Sequence, residues 1–221
     1  MTFITRRDLL KRAGMLGAAA GTAGFAGPFQ SRAGGPEKPA LQQPAVREAL
    51  ENLTAAESDI LEAMVARLIP SDELGPGAKE ARAAHYIDRA LGGALASSRQ
   101  VYAAGLAALD RYAQSSRGGA FARLSPSDQD SVLVDVENGA AAGFTGSSTQ
   151  FFNLVLNHTH QGTFGDPYYG GNADFVGWDL IGYPGVRTMV SAADQKQLEA
   201  GGLKPNHKSA YDYEAFTKAG K

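Results

Sequence analysis

Two histidines, three acids and six aromatic rings crowd one part of this sequence. His158 and His160 stand two apart in "NHTHQG", and the 24 residues from Gly162 to Gly185, "GTFGDPYYGGNADFVGWDLIGYPG", hold Asp166, Asp174 and Asp179 together with Phe164, Tyr168, Tyr169, Phe175, Trp178 and Tyr183. A metal shared by two helical histidines needs a spacing of three or four, whereas residues two apart point about 200° away from each other. The pair therefore reads as capping or surface histidines. His85, three before Asp88, is placed to pair with that acid on a helix surface. The three acids could serve as a glycosidase carboxylate pair or as oxygen ligands for calcium. Their spacing supports neither: the D-x-[DN]-x-[DN]-G loop is missing, and Asp166-Pro167 is a common start of a turn. A glycine-rich stretch can also cradle phosphate through backbone amides helped by positive charge. This one carries a formal charge of -3, has no Lys or Arg, and lacks both G-x-G-x-x-G after a strand and G-K-[ST].

The aromatic rings remain. Some of them must pack the stretch onto its scaffold, with Gly170, Gly171 and Asn172 supplying backbone angles that bulky residues resist. Tyr and Trp beside acids and amides suit sugar sites and protein interfaces alike, because they bury area while keeping a polar tip. From the residues alone both readings stand, and a hydrolase built on Asp166 and Asp174 is a third.

The whole chain narrows the field. Its 221 residues suffice for one ordinary domain with a substantial core. With 43% hydrophobic and 20% charged residues and a net charge of -2, neither a disordered chain nor a nucleic-acid partner is indicated. There is no cysteine, which excludes disulfides, a thiolate nucleophile, covalently attached c-type haem and cysteine-ligated iron–sulfur clusters within the chain.

The N-terminal segment "TRRDLLKRAGMLGAAAGTAGFAGPF" resembles a twin-arginine export signal. Thr5 to Lys11, with Arg6 and Arg7 at its centre, fits the Ser/Thr-Arg-Arg-x-Phe/Leu-Leu-Lys pattern and precedes a weakly apolar run rich in Ala and Gly. That run, Ala13 to Gln30, is diluted by five glycines and a proline and would insert poorly as a membrane span. The resemblance implies export of an already folded protein to the periplasm by the twin-arginine translocation machinery. The signal is assigned to residues 1–33 and a proline-bearing linker or extended arm to 34–52.

The elements that must position the stretch read as helices. Thr54 and Glu57 form a capping box before an apolar stripe of Ile60, Leu61, Met64, Val65, Leu68 and Ile69, which Pro70 stops. "AKEARAAHYIDRALGG" predicts a second helix, closed by Gly92 and Gly93. A third spans about Ser97 to Gln114 with Val101, Leu106, Leu109 and Tyr112 on its apolar side. Ser125 and Pro126 open a fourth, which ends near Gly139. The fifth, "SSTQFFNLVLNHTHQG", aligns Phe151, Phe152, Val155, Leu156 and Thr159 and delivers the chain into the stretch. No sustained alternating strand pattern occurs. The expectation is a mainly α fold: about five helices in a bundle-like domain over 53–185, a long irregular C-terminal third rich in Gly and aromatics, and an extended tail at 186–221.

Gly162, Phe164, Asp166, Pro167, Tyr169, Gly170, Gly171, Asn172, Gly177, Trp178, Gly182, Pro184 and Gly185, in that order, resemble the signature of the gluconate 2-dehydrogenase subunit 3 family. Thr54, Glu57 and "RLIPSDELGPGAKEA" from Arg67 to Ala81 fit its earlier element. The sequence departs at Ala173, where an Arg is common, so a partner salt bridge at that position is not available here. The resemblance implies a non-catalytic small subunit that accompanies a large flavin-dependent dehydrogenase of the glucose-methanol-choline type, often with a multihaem cytochrome c. It further implies that FAD sits in the partner and no cofactor in this chain, and that the small subunit aids maturation and carries the flavoprotein across the membrane. The partner-facing candidates are then Asp166, Pro167, Tyr168, Tyr169, Asn172, Trp178 and Tyr183. An autonomous periplasmic carbohydrate-binding protein, with Tyr168, Tyr169 and Trp178 as stacking platforms, is the alternative.

Overall fold

The computed structural model describes residues 50–217; the signal with Arg6 and Arg7, and most of the arm, lie outside the described residues. The five expected helices are present as α1 (Ala55–Leu68), α2 (Ala83–Leu91), α3 (Arg99–Arg117), α4 (Pro126–Glu137) and α5 (Ser148–Phe164). Three short ones follow, α6 (Val176–Leu180), α7 (Ala192–Glu199) and α8 (Glu214–Thr217), and no strand occurs among the described residues. The fold is mainly α.

α1 starts where the capping box places it. Thr54 accepts from the Glu57 amide at 3.3 Å, while the Glu57 carboxylate accepts from the Thr54 amide at 2.8 Å. Its stripe buries Ile60, Leu61, Met64 and Val65, and the helix ends one residue before Ile69, whose φ of -131 and ψ of 85 lie outside the helical region that a following proline disfavours. α2 begins later than the sequence pattern suggests. Arg82 adopts φ 57, and the Ala78 amide turns back to donate to the Ile69 carbonyl at 2.8 Å, so Ala78 to Arg82 form a tight turn instead of the first turn of a helix.

Three polar side chains, buried Asp88 and His158 and half-buried Arg99, fix how these helices meet. Asp88 does not pair with His85; its carboxylate accepts from the amides of Glu51, Asn52 and Leu53 at 2.7, 2.9 and 2.8 Å and pins the approach to α1 against α2. Arg99 completes the junction, donating from Nε to the Asn52 carbonyl at 2.8 Å and through both terminal nitrogens to Glu57 at 3.0 and 2.8 Å. His158 is not at the surface either: it lies in the core beside Tyr102, the rings nearly parallel at 11°. Burial pushes the His158 imidazole below its ordinary pKa and the Tyr102 phenol above its own, so two neutral groups share the hydrogen bond between the phenol oxygen and Nδ1 at 2.9 Å. The helical period foretells this, since His158 is seven after Phe151 and three after Val155, both buried.

The core gathers Leu61, Met64, Ile69, Ile87, Leu106, Leu109, Phe121, Val132, Val136 and Val155 between α1 and α5. On α3 the buried face runs through Tyr102, Leu106, Leu109 and Ala113, while Val101, expected on the apolar side, is exposed. α5 packs most extensively against α2, and Gly162 makes the seam possible: a Cβ there would lie 2.9 Å from the Ala83 Cα. α7 differs from the rest. A Ser191–Asp194 capping box closes it, yet it buries no residue. No helix among the described residues is long and apolar enough to cross a membrane.

Burial alone would raise the Glu57 carboxyl, but hydrogen bonds from Thr54 and Arg99 hold it below its ordinary value of 4.5. A carboxyl depressed on folding stabilises above its unfolded pKa, and that contribution disappears as pH falls through the folded one. Glu57→Gln should therefore cost about 1–2 kcal/mol at pH 7, and urea titrations should show the gap to wild type closing below about pH 4.

Candidate functional site

The stretch after α5 is less irregular than expected: it holds two single 3-10 turns, Pro167–Tyr169 and Ala173–Phe175, and then α6. Its path is set by backbone passing very close to backbone. A Cβ at Gly171 would lie 2.1 Å from the Gly162 carbonyl, and one at Gly177 would lie 1.8 Å from the Thr163 carbonyl. No side chain fits at either place.

Asn172 is the hub. It is 0% exposed and sits at φ 44, a left-handed conformation that asparagine tolerates better than most residues. Its amide donates to the Gly162 carbonyl at 2.7 Å, its Nδ2 to the Gly165 carbonyl at 2.8 Å, and its Oδ1 accepts from the Gly177 amide at 2.8 Å. One residue thus joins the end of α5, the turn beyond it and the start of α6. Asp174 and Phe175 also have positive φ, at 52 and 62, which for a ring-bearing residue is a strained state held by its surroundings.

Trp178, 5% exposed, plugs the loop onto α5 and donates from Nε1 to the Phe164 carbonyl at 2.9 Å. Phe175 and Tyr183 lean on it, with ring centroids at 5.4 and 4.7 Å. From the other side α2 supports the first turn. The Gly170 carbonyl can only accept, so His85 donates to it from Nδ1 at 3.0 Å, and Arg89 approaches the Tyr168 carbonyl at 3.5 Å.

The partner-facing candidates therefore divide. Asn172 and Trp178 are interior and shape the loop; Tyr168, Tyr169 and Tyr183 are exposed by 51%, 49% and 38%. Asp166 and Pro167 are half-buried at the first turn. Both oxygens of Asp166 are engaged: Oδ1 accepts from the Tyr168 amide at 3.0 Å and Oδ2 from the Ala210 amide at 2.9 Å. A carboxylate so held is an anchor of backbone, not an acid or base poised over a substrate. Asp179 faces His207 at 2.7 Å, and Asp174 is exposed. Among the described residues no group of three or more His, Asp or Glu side chains is arranged to hold a metal ion.

The sequence suggests an extended tail at 186–221. Within it Asn206 to Tyr213 lies against the loop, and Tyr211 stacks on Tyr168 at 3.7 Å. His85, Arg89, His207 and Tyr211 were thus missed as parts of the site. The i, i+4 spacing of His85 and Arg89 marks them as one helix face, but nothing local says what that face meets.

Buried Trp178 and Asn172 should matter to stability in proportion to what they hold. We expect Trp178→Ala to lower stability by about 3 kcal/mol or more and Asn172→Ala, which orphans buried backbone groups, by about 2–4 kcal/mol. Hydrogen exchange should show the loss concentrated between Phe164 and Tyr183, and full protection of that segment in Asn172→Ala would contradict the role given to the amide.

No curated protein and no solved structure matches the chain. The family model for gluconate 2-dehydrogenase subunit 3 matches residues 55–185, from the first residue of α1 to the end of the aromatic loop. That match takes in more than half of the chain, both the helical scaffold and the loop it carries, and the chain belongs to the gluconate 2-dehydrogenase subunit 3 family.

Proposed function

We propose that this chain is the non-catalytic small subunit of an exported, FAD-dependent sugar or polyol dehydrogenase of the glucose-methanol-choline type. It aids maturation of the flavoprotein, which holds the FAD, and carries it to the periplasm through the twin-arginine signal at Arg6 and Arg7. A multihaem cytochrome c is a further partner in such a complex, which would keep this chain at the inner membrane. The observation that carries the reading is the family match over 55–185, which names a subunit of a dehydrogenase complex. The division of the loop supports it: Asn172 and Trp178 hold a shape from the inside, and tyrosines are left on the outside, as protein interfaces use them. The carbohydrate-binding alternative loses two platforms, because Trp178 is buried and one face of Tyr168 is covered by Tyr211.

Replacing Arg6 and Arg7 by Lys should leave both this chain and the dehydrogenase in the cytoplasm. Cell fractionation with an activity stain checks this, and normal export of the dehydrogenase beside that variant would overturn the carrier role. Purification of the tagged chain should bring down a yellow protein of flavoprotein size. Tyr183→Ala should weaken that association by about 2 kcal/mol while leaving thermal unfolding of the small subunit within a few degrees of wild type.

A further inference from the structure

Beyond Trp178 no apolar side chain is buried among the described residues, yet Asn206 to Tyr213 is held on the loop by a set of directional contacts. The Tyr211 ring lies flat on Tyr168, 17° from parallel, and its hydroxyl is 2.8 Å from that of Tyr169. The Ala210 amide donates to the free oxygen of Asp166 at 2.9 Å. His207 stacks on Phe175 at 5.1 Å while its Nε2 reaches Asp179 at 2.7 Å. The Asn206 amide donates to the Pro184 carbonyl at 3.2 Å. Each contact joins a loop group to a tail group, and none involves the core.

This pattern is that of an occupied recognition surface. A ring on a ring, a backbone amide on a carboxylate and an imidazole on an acid are the elements by which protein surfaces read a peptide. One of these contacts is also open to water: the side chains of His207 and Asp179 are 48% and 46% exposed, so their pairing contributes little by itself. A cleft of about 790 Å³ opens alongside, lined by Tyr168, Phe175, His207, Tyr211 and Phe216, and gives an incoming segment a foothold at the edge of the tail.

We propose that the loop surface from Asp166 to Pro184 is a peptide-recognition site whose resident occupant in the free chain is its own segment Asn206 to Tyr213, and that a protein partner displaces this latch with a segment of the same chemistry. That segment carries an aromatic ring to stack on Tyr168, a backbone amide to meet Asp166, and an imidazole or cationic side chain to pair with Asp179. The displacing partner being the dehydrogenase rests on the reading under Proposed function; the latch does not.

The test uses this chain alone and a synthetic peptide of the sequence Lys204 to Thr217, so its failure is separate from any failure of the accessory-subunit reading. In wild type, hydrogen exchange at the Asn206 and Ala210 amides should run at least about tenfold faster than at Val155 in the core, because the latch opens without global unfolding. In the full chain carrying His207→Ala and Tyr211→Ala, those two amides should lose their remaining protection while Val155 keeps its own. That variant should bind the peptide at least about tenfold more tightly than wild type, whose site is filled, and the gain should vanish when Tyr168→Ala is added. Tail amides as protected as Val155 in wild type would overturn the proposal, as would a loosened tail that brings no gain in peptide binding.

Discussion

Asn172 has no contact with water and sits in a backbone conformation that few residues accept, and its three hydrogen bonds reach both ends of the turn that follows α5. Without them the Gly177 amide would be buried and unsatisfied, which a protein interior seldom allows, and the Gly165 carbonyl would lose its partner. Everything outward from there depends on that amide. Gly177 lies against the Thr163 carbonyl with its amide donating to Asn172 Oδ1, and the next residue, Trp178, donates to the Phe164 carbonyl. Trp178 in turn gives Phe175 and Tyr183 something to lean on. The exposed tyrosines are thus displayed by a chain of buried, short-range constraints instead of by regular secondary structure.

The scaffold delivers that hub at a fixed height. α5 crosses α2 where Gly162 meets Ala83, and the same stretch of α2 offers His85 and Arg89 to the first turn of the loop. The helix pair and the loop therefore form one object. The polar junction on another face of α2, where Asp88 gathers three consecutive amides, holds the approach to α1 to the same helix. A nine-residue helix this short has little stability of its own, and it persists because both of its faces are tied.

Much of this was legible in the sequence. The capping box at Thr54, the Ser125-Pro126 start and the apolar period of α5 are local signals, and the helices stand where those signals put them. α2 was misplaced at its start because Arg82 adopts a left-handed conformation, which composition does not announce. The site was legible as a loop but not as an architecture. The signature residues divide into those that face inward, such as Asn172 and Trp178, and those that face outward, such as Tyr169, and a motif prints both alike. Asp166 meeting Ala210, and Tyr168 meeting Tyr211, are pairings across some forty residues that leave no periodic trace. The inward turn of His158 could have been read from its register with Phe151 and Val155, because a helix face continues whether or not the next residue is apolar.

α7 is capped at its start and buries nothing along its length. Apart from Asp194, whose carboxylate completes the cap, such a helix is little constrained by the fold: substitutions elsewhere along Ala192 to Glu199 open no cavity and strand no buried side chain. Those positions can be tuned to whatever they touch, independently of the signature that ends at Gly185. A surface able to diverge without cost to stability is where members of one family with a common scaffold can come to choose different partners.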